Sequence, residues 1–184
     1  MDYETLQDLY FHELKDLYSA EKQIIRSMPK VVKHVSSPAL RDCLEQHLEE
    51  TNVQLQRLEN LFDLHQKTTR GSKCKGTEGV LEEAEDWLME EAQPDVMDAG
   101  IISMMQRVEH YEIAGYGCAR TYAHLLGFKE DESLLQQTLE EESEADKKLT
   151  LIAERINKQA AAPEHAQAQP QSQHPSHAQP HSRR

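Results

Sequence analysis

The chain has 184 residues, with 33 Asp and Glu against 20 Lys and Arg and a formal net charge of -13. That length suits one domain with a proper core, and that charge repels phosphate backbones, so nucleic acid is not expected as a direct partner. Three cysteines without CxxC spacing argue against a disulfide framework or a zinc knuckle, and the lack of a long apolar run or an apolar N-terminal leader argues against a membrane span and a secretory signal, which leaves the cytoplasm as the expected location.

Leu, Glu, Gln, Ala and Lys dominate the composition and favour helix. No stretch alternates β-branched with polar residues, so an all-α fold is expected. The first predicted helix runs from about Tyr3 to about Lys33, with Leu14, Leu17, Ile24 and Met28 on its apolar side and Pro29 as a kink or stop. In "SSPALRD", Ser37 can cap and Pro38 suits a first helical position. A second helix follows over about Ala39 to Gln66. The polar, glycine-punctuated "KTTRGSKCKGTEG" leads to a short amphipathic segment, "VLEEAEDWLMEEA". After "QPD", with Asp95 as a candidate cap, a long helix spans about Val96 to Leu126. Gly127 stops it, and a last helix covers about Glu132 to Asn157.

Two hairpins with short loops, joined by a long link that carries a short fifth helix, make a four-helix bundle with one crossover over residues 1–160. This is the arrangement of ferritin-like proteins. Residues 161–184 are rich in His, Gln and Pro, lack apolar periodicity, and are expected to be disordered. Their histidines, His165, His174, His177 and His181, suggest at most weak metal binding, and a solubilising tail is the simpler reading.

Each long helix carries a polar residue inside its apolar stripe. Glu112 follows Ile101, Met105 and Val108; Glu21 follows Leu14 and Leu17; Glu142 follows Leu135 and Leu139; and His47 follows Leu40 and Leu44, with Glu50 one turn on. One such acid is ordinarily a boundary residue whose carboxylate reaches water. Four at matching depth are harder to explain that way. Glu21 and Glu112 precede their turns by fifteen and sixteen residues, and Glu50 and Glu142 follow theirs by thirteen and fourteen. At ~1.5 Å per residue, all four lie ~20–24 Å from a turn. Four buried carboxylates cannot all stay ionised without compensation, and two divalent metals would balance them. Carboxylate with imidazole suits iron or manganese. Glu109 and Asp146 share the faces of Glu112 and Glu142 and are further candidate ligands.

The stretches "DLYSAEKQI", "HLEETNVQLQRLE", "VEHYEIAGYG" and "LLQQTLEEESEADKKLT" resemble the ferritin-like metal-binding family of the bacterial YciE and YciF proteins, over about residues 3–158. The resemblance implies a rubrerythrin-like carboxylate centre, a homodimer and a place in bacterial stress responses. Glu109 with Glu112 resembles the Glu-x-x-Glu of rubrerythrins. Two departures stand out. Helix two has His47-x-x-Glu50, the reverse of the usual Glu-x-x-His, and the last helix has Ala145 where a histidine would stand. No rubredoxin-like CxxC pair is present to deliver electrons. The expected function is a di-metal protein, by preference di-iron, acting on peroxide or oxygen under stress. The alternative is a non-enzymatic dimeric helical stress protein whose metal site is structural or vestigial.

Overall fold

A computed structural model of the protein describes residues 3–162. It contains α1 (Leu6–His34), α2 (Pro38–Leu64), α3 (Lys75–Trp87), α4 (Pro94–Leu126) and α5 (Lys129–Ala160), and no strand among the described residues. The expectation for the C-terminal segment falls, from residue 163 on, outside the described residues.

Local chemistry explains the boundaries. Thr5 and Asp8 form a reciprocal capping box at the start of α1: the Thr5 hydroxyl accepts from the Asp8 amide at 3.1 Å, and the Asp8 carboxylate accepts from the Thr5 amide at 3.0 Å. Pro29 does not end this helix. Buried Met28, Val31 and Val35 anchor it on both sides of the missing hydrogen bond. Ser37 caps α2 and Pro38 occupies its first turn. α3 starts and ends five residues before the segment "VLEEAEDWLMEEA", because Thr77 joins Leu81, Ala84 and Leu88 on one buried stripe despite the glycines around it, and the helix closes at Leu88. At α4 the residue before the helix is Gln93, with Pro94 in the first turn, so Asp95 lies inside the helix rather than capping it. Gly127 ends α4 with φ 75°, the left-handed conformation that glycine adopts without a Cβ clash.

α1 packs against α2 and α4, and α5 against α2 and α4, with α3 laid over α1 and α4. The apolar interior is split in two. One cluster joins the end of α1 and the start of α2 to the start of α4 and the end of α5, through Met28, Leu40, Met105 and Ile156. The other joins the opposite ends, through Leu14, Phe62, Tyr116 and Leu135. The two hairpin turns therefore sit at opposite ends of the bundle, and the crossover returns the chain from one end to the other.

Polar ties fix both ends. Buried Asp98 on α4 accepts from the amides of Ser36 and Ser37 at 2.9 and 2.7 Å, which locks the α1–α2 turn to the second hairpin. At the far end, Asp131 accepts from the Tyr10 hydroxyl at 2.5 Å and lies 2.6 Å from His65 Nε2. No helix among the described residues is long and apolar enough to cross a membrane.

The crossover helix packs on α4 through close approaches, among them that of Trp87 to Gly100. The Trp87 indole lies so near Gly100 that a Cβ there would come within 2.1 Å of it. Its Nε1 donates to the Met97 carbonyl at 3.2 Å. Gly100→Ala is expected to push the indole out, destabilise the fold by roughly 1–3 kcal/mol and shift the emission of the single tryptophan to the red. Fluorescence-detected urea unfolding measures both effects.

Candidate metal centre

Between the two apolar clusters, at mid-height, the four long helices turn polar side chains inward. α1 supplies Glu21, α2 His47, α4 Glu109 and Glu112, and α5 Glu142. The four glutamates are 0 % exposed and His47 is 3 % exposed. His47, Glu109, Glu112 and Glu142 each bring one potential ligand atom to within 4.8 Å of all the others. His47 Nε2 lies 3.3 Å from Glu109 Oε1. Glu21 is buried on the facing side of α1, and its negative charge and those of Glu142 and Glu112 repel one another.

The polar atoms here lack protein partners. Both oxygens of Glu109, Glu112 and Glu142, Oε2 of Glu21 and both ring nitrogens of His47 are buried without a hydrogen bond. Glu21 Oε1 alone is satisfied, by the Tyr116 hydroxyl. Burying an ionised carboxylate costs several kcal/mol unless it is paired. Such a group must therefore hold protons or a cation. The pKa directions agree. Burial pushes Glu21, Glu109 and Glu112 well above the usual carboxylate range; Glu142 adds repulsion on the first two, and Glu21 on Glu112. Burial, then the negative charge of Glu21, likewise raises Tyr116. Converging carboxylates with one imidazole fit a hard or borderline cation such as iron or manganese, and the orphaned atoms are what such an ion would satisfy. This buried group could hold a metal ion.

Two of the candidates do not join it. Glu50 lies on the flank of α2, where its carboxylate accepts from Gln46 at 2.7 Å and faces Lys148 at 3.9 Å. At ~100° per residue it is roughly 70° from the mean direction of the buried α2 face. Asp146 sits off the inward line of α5 by roughly 60° on the same count, accepting from Gln106 at 3.0 Å with exposed His110 at 3.5 Å. Among the tyrosines on the helices around the centre, Tyr116 meets a site carboxylate, that of Glu21. Tyr18 donates to Glu59, and Tyr111 donates to Asp16 beside Cys74.

The chain matches the family model described as "Domain of unknown function (DUF892)" over residues 5–162. It is 39% identical over 162 residues to Protein YciF of Escherichia coli K12, covering 87% of this chain and 98% of that one. The chain belongs to this family. The crystal structure of the E. coli stress protein YciF superposes with a TM-score of 0.82 at 38% identity, over 85% of this chain and 99% of that one. YcfI of Rhodopseudomonas palustris gives 0.78 at 38% identity, over 81% and 95%. A Xanthomonas campestris protein, XCC3681, shares the fold at 0.68 with 21% identity, over 84% and 94%.

One further polar residue belongs to this DUF892 interior. Gln54 is 1 % exposed, its amide nitrogen donates to Glu141 at 3.2 Å, and its Oε1 has no partner. Arg57 grips the same Glu141 carboxylate in bidentate fashion at 2.5 and 2.8 Å, so Gln54 must present its NH2 there and keep its carbonyl oxygen buried. A signal was available in the sequence: Gln54 stands seven residues, two turns, after His47.

The raised acids set the sign of a pH effect. Unfolded glutamates lose their protons near 4.5, whereas the folded ones keep theirs to higher pH. The stability tied to those protons is complete below the unfolded value and is lost as pH rises through the folded values. The metal-free protein is expected to lose urea resistance steadily as pH rises above the unfolded carboxylate value. Glu112→Leu is expected to flatten that decline and to stabilise the metal-free bundle at neutral pH. Urea midpoints across the pH range check both.

Proposed function

We propose that this protein is a ferritin-like di-metal protein, di-iron by preference with manganese as the alternative, that acts on peroxide or dioxygen under stress. The observation that carries the reading is the set of buried, unpartnered oxygens contributed by all four glutamates at one level of the bundle. Glu21, His47, Glu109, Glu112 and Glu142 would hold the metals. Four carboxylates and a neutral imidazole sum to about the charge that two divalent ions neutralise. Glu50 and Asp146, already paired on the flanks, would tune the local field without binding metal. The stress role extends to this chain what is said of the E. coli relative.

Bound iron supplies one-electron redox chemistry toward peroxide. The chain's residues prepare the surroundings. The two apolar clusters keep bulk water from the carboxylates on both sides. Tyr116 holds its proton and donates it to Glu21 Oε1, which fixes that carboxylate's orientation and leaves Oε2 free as a donor atom. His47, whose ring nitrogens form no hydrogen bond, is free to present one as a ligand. The homodimer and the cytoplasmic setting are part of the same proposal, and sedimentation and cell fractionation test them.

Protein purified without chelator is expected to carry about two iron or manganese ions per chain by elemental analysis. Glu112→Gln keeps the shape but removes one charge, so metal affinity is expected to fall by about tenfold or more. Glu50→Gln and Asp146→Asn are expected to keep wild-type stoichiometry. Chelation is expected to lower Tm more at neutral than at mildly acidic pH, because protons replace the metals at the lower pH. A metal-loaded protein that consumes no hydrogen peroxide would instead support the structural or vestigial reading. Wild-type metal content in Glu112→Gln would remove Glu112 from the ligand set.

A further inference from the structure

A cleft of about 390 Å³ lies on the outer face of α1, away from the metal centre, roofed by the link that follows α2. For a chain with net charge -13 its lining is anomalous. Lys15, Lys22 and Arg26 face it from α1, Arg70 and Lys73 from the link, and no Asp or Glu lines it. The helical three stand at i, i+7 and i+11, on one side of α1. The link is held close there: a Cβ at Gly71 would come within 2.9 Å of Lys15 Cβ. The loop is tied down beyond that point by the Cys74 amide, which donates to Ser19 Oγ at 2.9 Å, and by Gln23, which donates to the Cys74 carbonyl at 3.0 Å.

Most of these cations are uncommitted. Lys73 pairs with Glu78, and Lys22 lies 5.1 Å over the Tyr18 ring. Lys15, Arg26 and Arg70 enter no ion pair among the described residues. Five like charges gathered in one concavity repel one another, and a bound polyvalent anion removes that cost. Two guanidiniums and three ammoniums around a small volume, with Ser72 and Thr69 hydroxyls beside them, suit the several acceptor oxygens of a phosphate group. The size fits a small phosphorylated molecule. A nucleic acid or an anionic membrane would have to bring an extended negative surface against a strongly acidic protein.

We propose that this cleft is a binding site for a small phosphate ester, held by Arg26 and Arg70 with Lys15, Lys22 and Lys73 around it. It stands independently of the metal centre, since no residue is shared.

The test titrates the full chain with inorganic phosphate and with ribose 5-phosphate at constant ionic strength in chloride, by calorimetry. Saturable one-to-one binding is expected. Arg26→Ala combined with Arg70→Ala should weaken it by about tenfold or more. Both residues are exposed, so the double variant should keep its helicity and metal content. Lys30→Ala combined with Lys33→Ala makes the same charge change on α1 outside the cleft and should have little effect. The proposal is overturned if no saturable binding occurs with either probe. It is also overturned if the two double variants weaken binding equally, or if duplex DNA or phosphatidylglycerol vesicles bind in an Arg70-dependent way while both small probes do not.

Discussion

Everything in this molecule is arranged around mutual repulsion. Glu21, Glu109, Glu112 and Glu142 are all fully buried, and without compensation they would push one another and the bundle apart. The rest of the fold is compatible with that constraint only because it is stiff elsewhere. Two separate apolar clusters clamp the helices above and below the polar layer, so the charges cannot be relieved by splaying one end. The layer sits between the two clusters, about midway between turns at opposite ends. A buried cluster of unpartnered carboxylate oxygens is thus a stored demand for positive charge rather than a defect in packing.

The fold was readable from residues because each signal was local. Capping at Ser37 and Pro38, the stop at Gly127 and the stripes of leucine need only neighbours within a turn or two. α3 lies five residues upstream of the apolar pattern in "VLEEAEDWLMEEA", because Gly76 and Gly79 suppress the local preference, while the burial of Thr77 comes from packing that a single segment does not reveal. Pro29 likewise stays helical because of anchors supplied by other helices.

The centre was legible by depth but less so by angle. Counting residues from the turns brings Glu21, Glu112 and Glu142 to one level, and the structure gathers them there. The same count made Glu50 equivalent, yet a position three residues from His47 turns to the flank, where Gln46 and Lys148 occupy it. Depth along a helix follows from sequence numbers, whereas direction at the edge of a face depends on which neighbour the helix leans on. Gln54 is hidden in the sequence for a related reason: an uncharged amide in a stripe looks unremarkable until Arg57 and Glu141 fix which of its ends remains without a partner.

The grip of Asp98 on the Ser36 and Ser37 amides has a consequence for how the protein opens. A three-residue turn at the end of a hairpin ordinarily exchanges its amide hydrogens with solvent within seconds or less, as a frayed end does. Here those two hydrogens are held by a buried carboxylate that belongs to the other hairpin. They can exchange only when α4 moves away from the turn. Two peripheral amides thereby report on the separation of the halves of the bundle, and their exchange should track that of the deepest helical positions rather than that of the surface on which they lie.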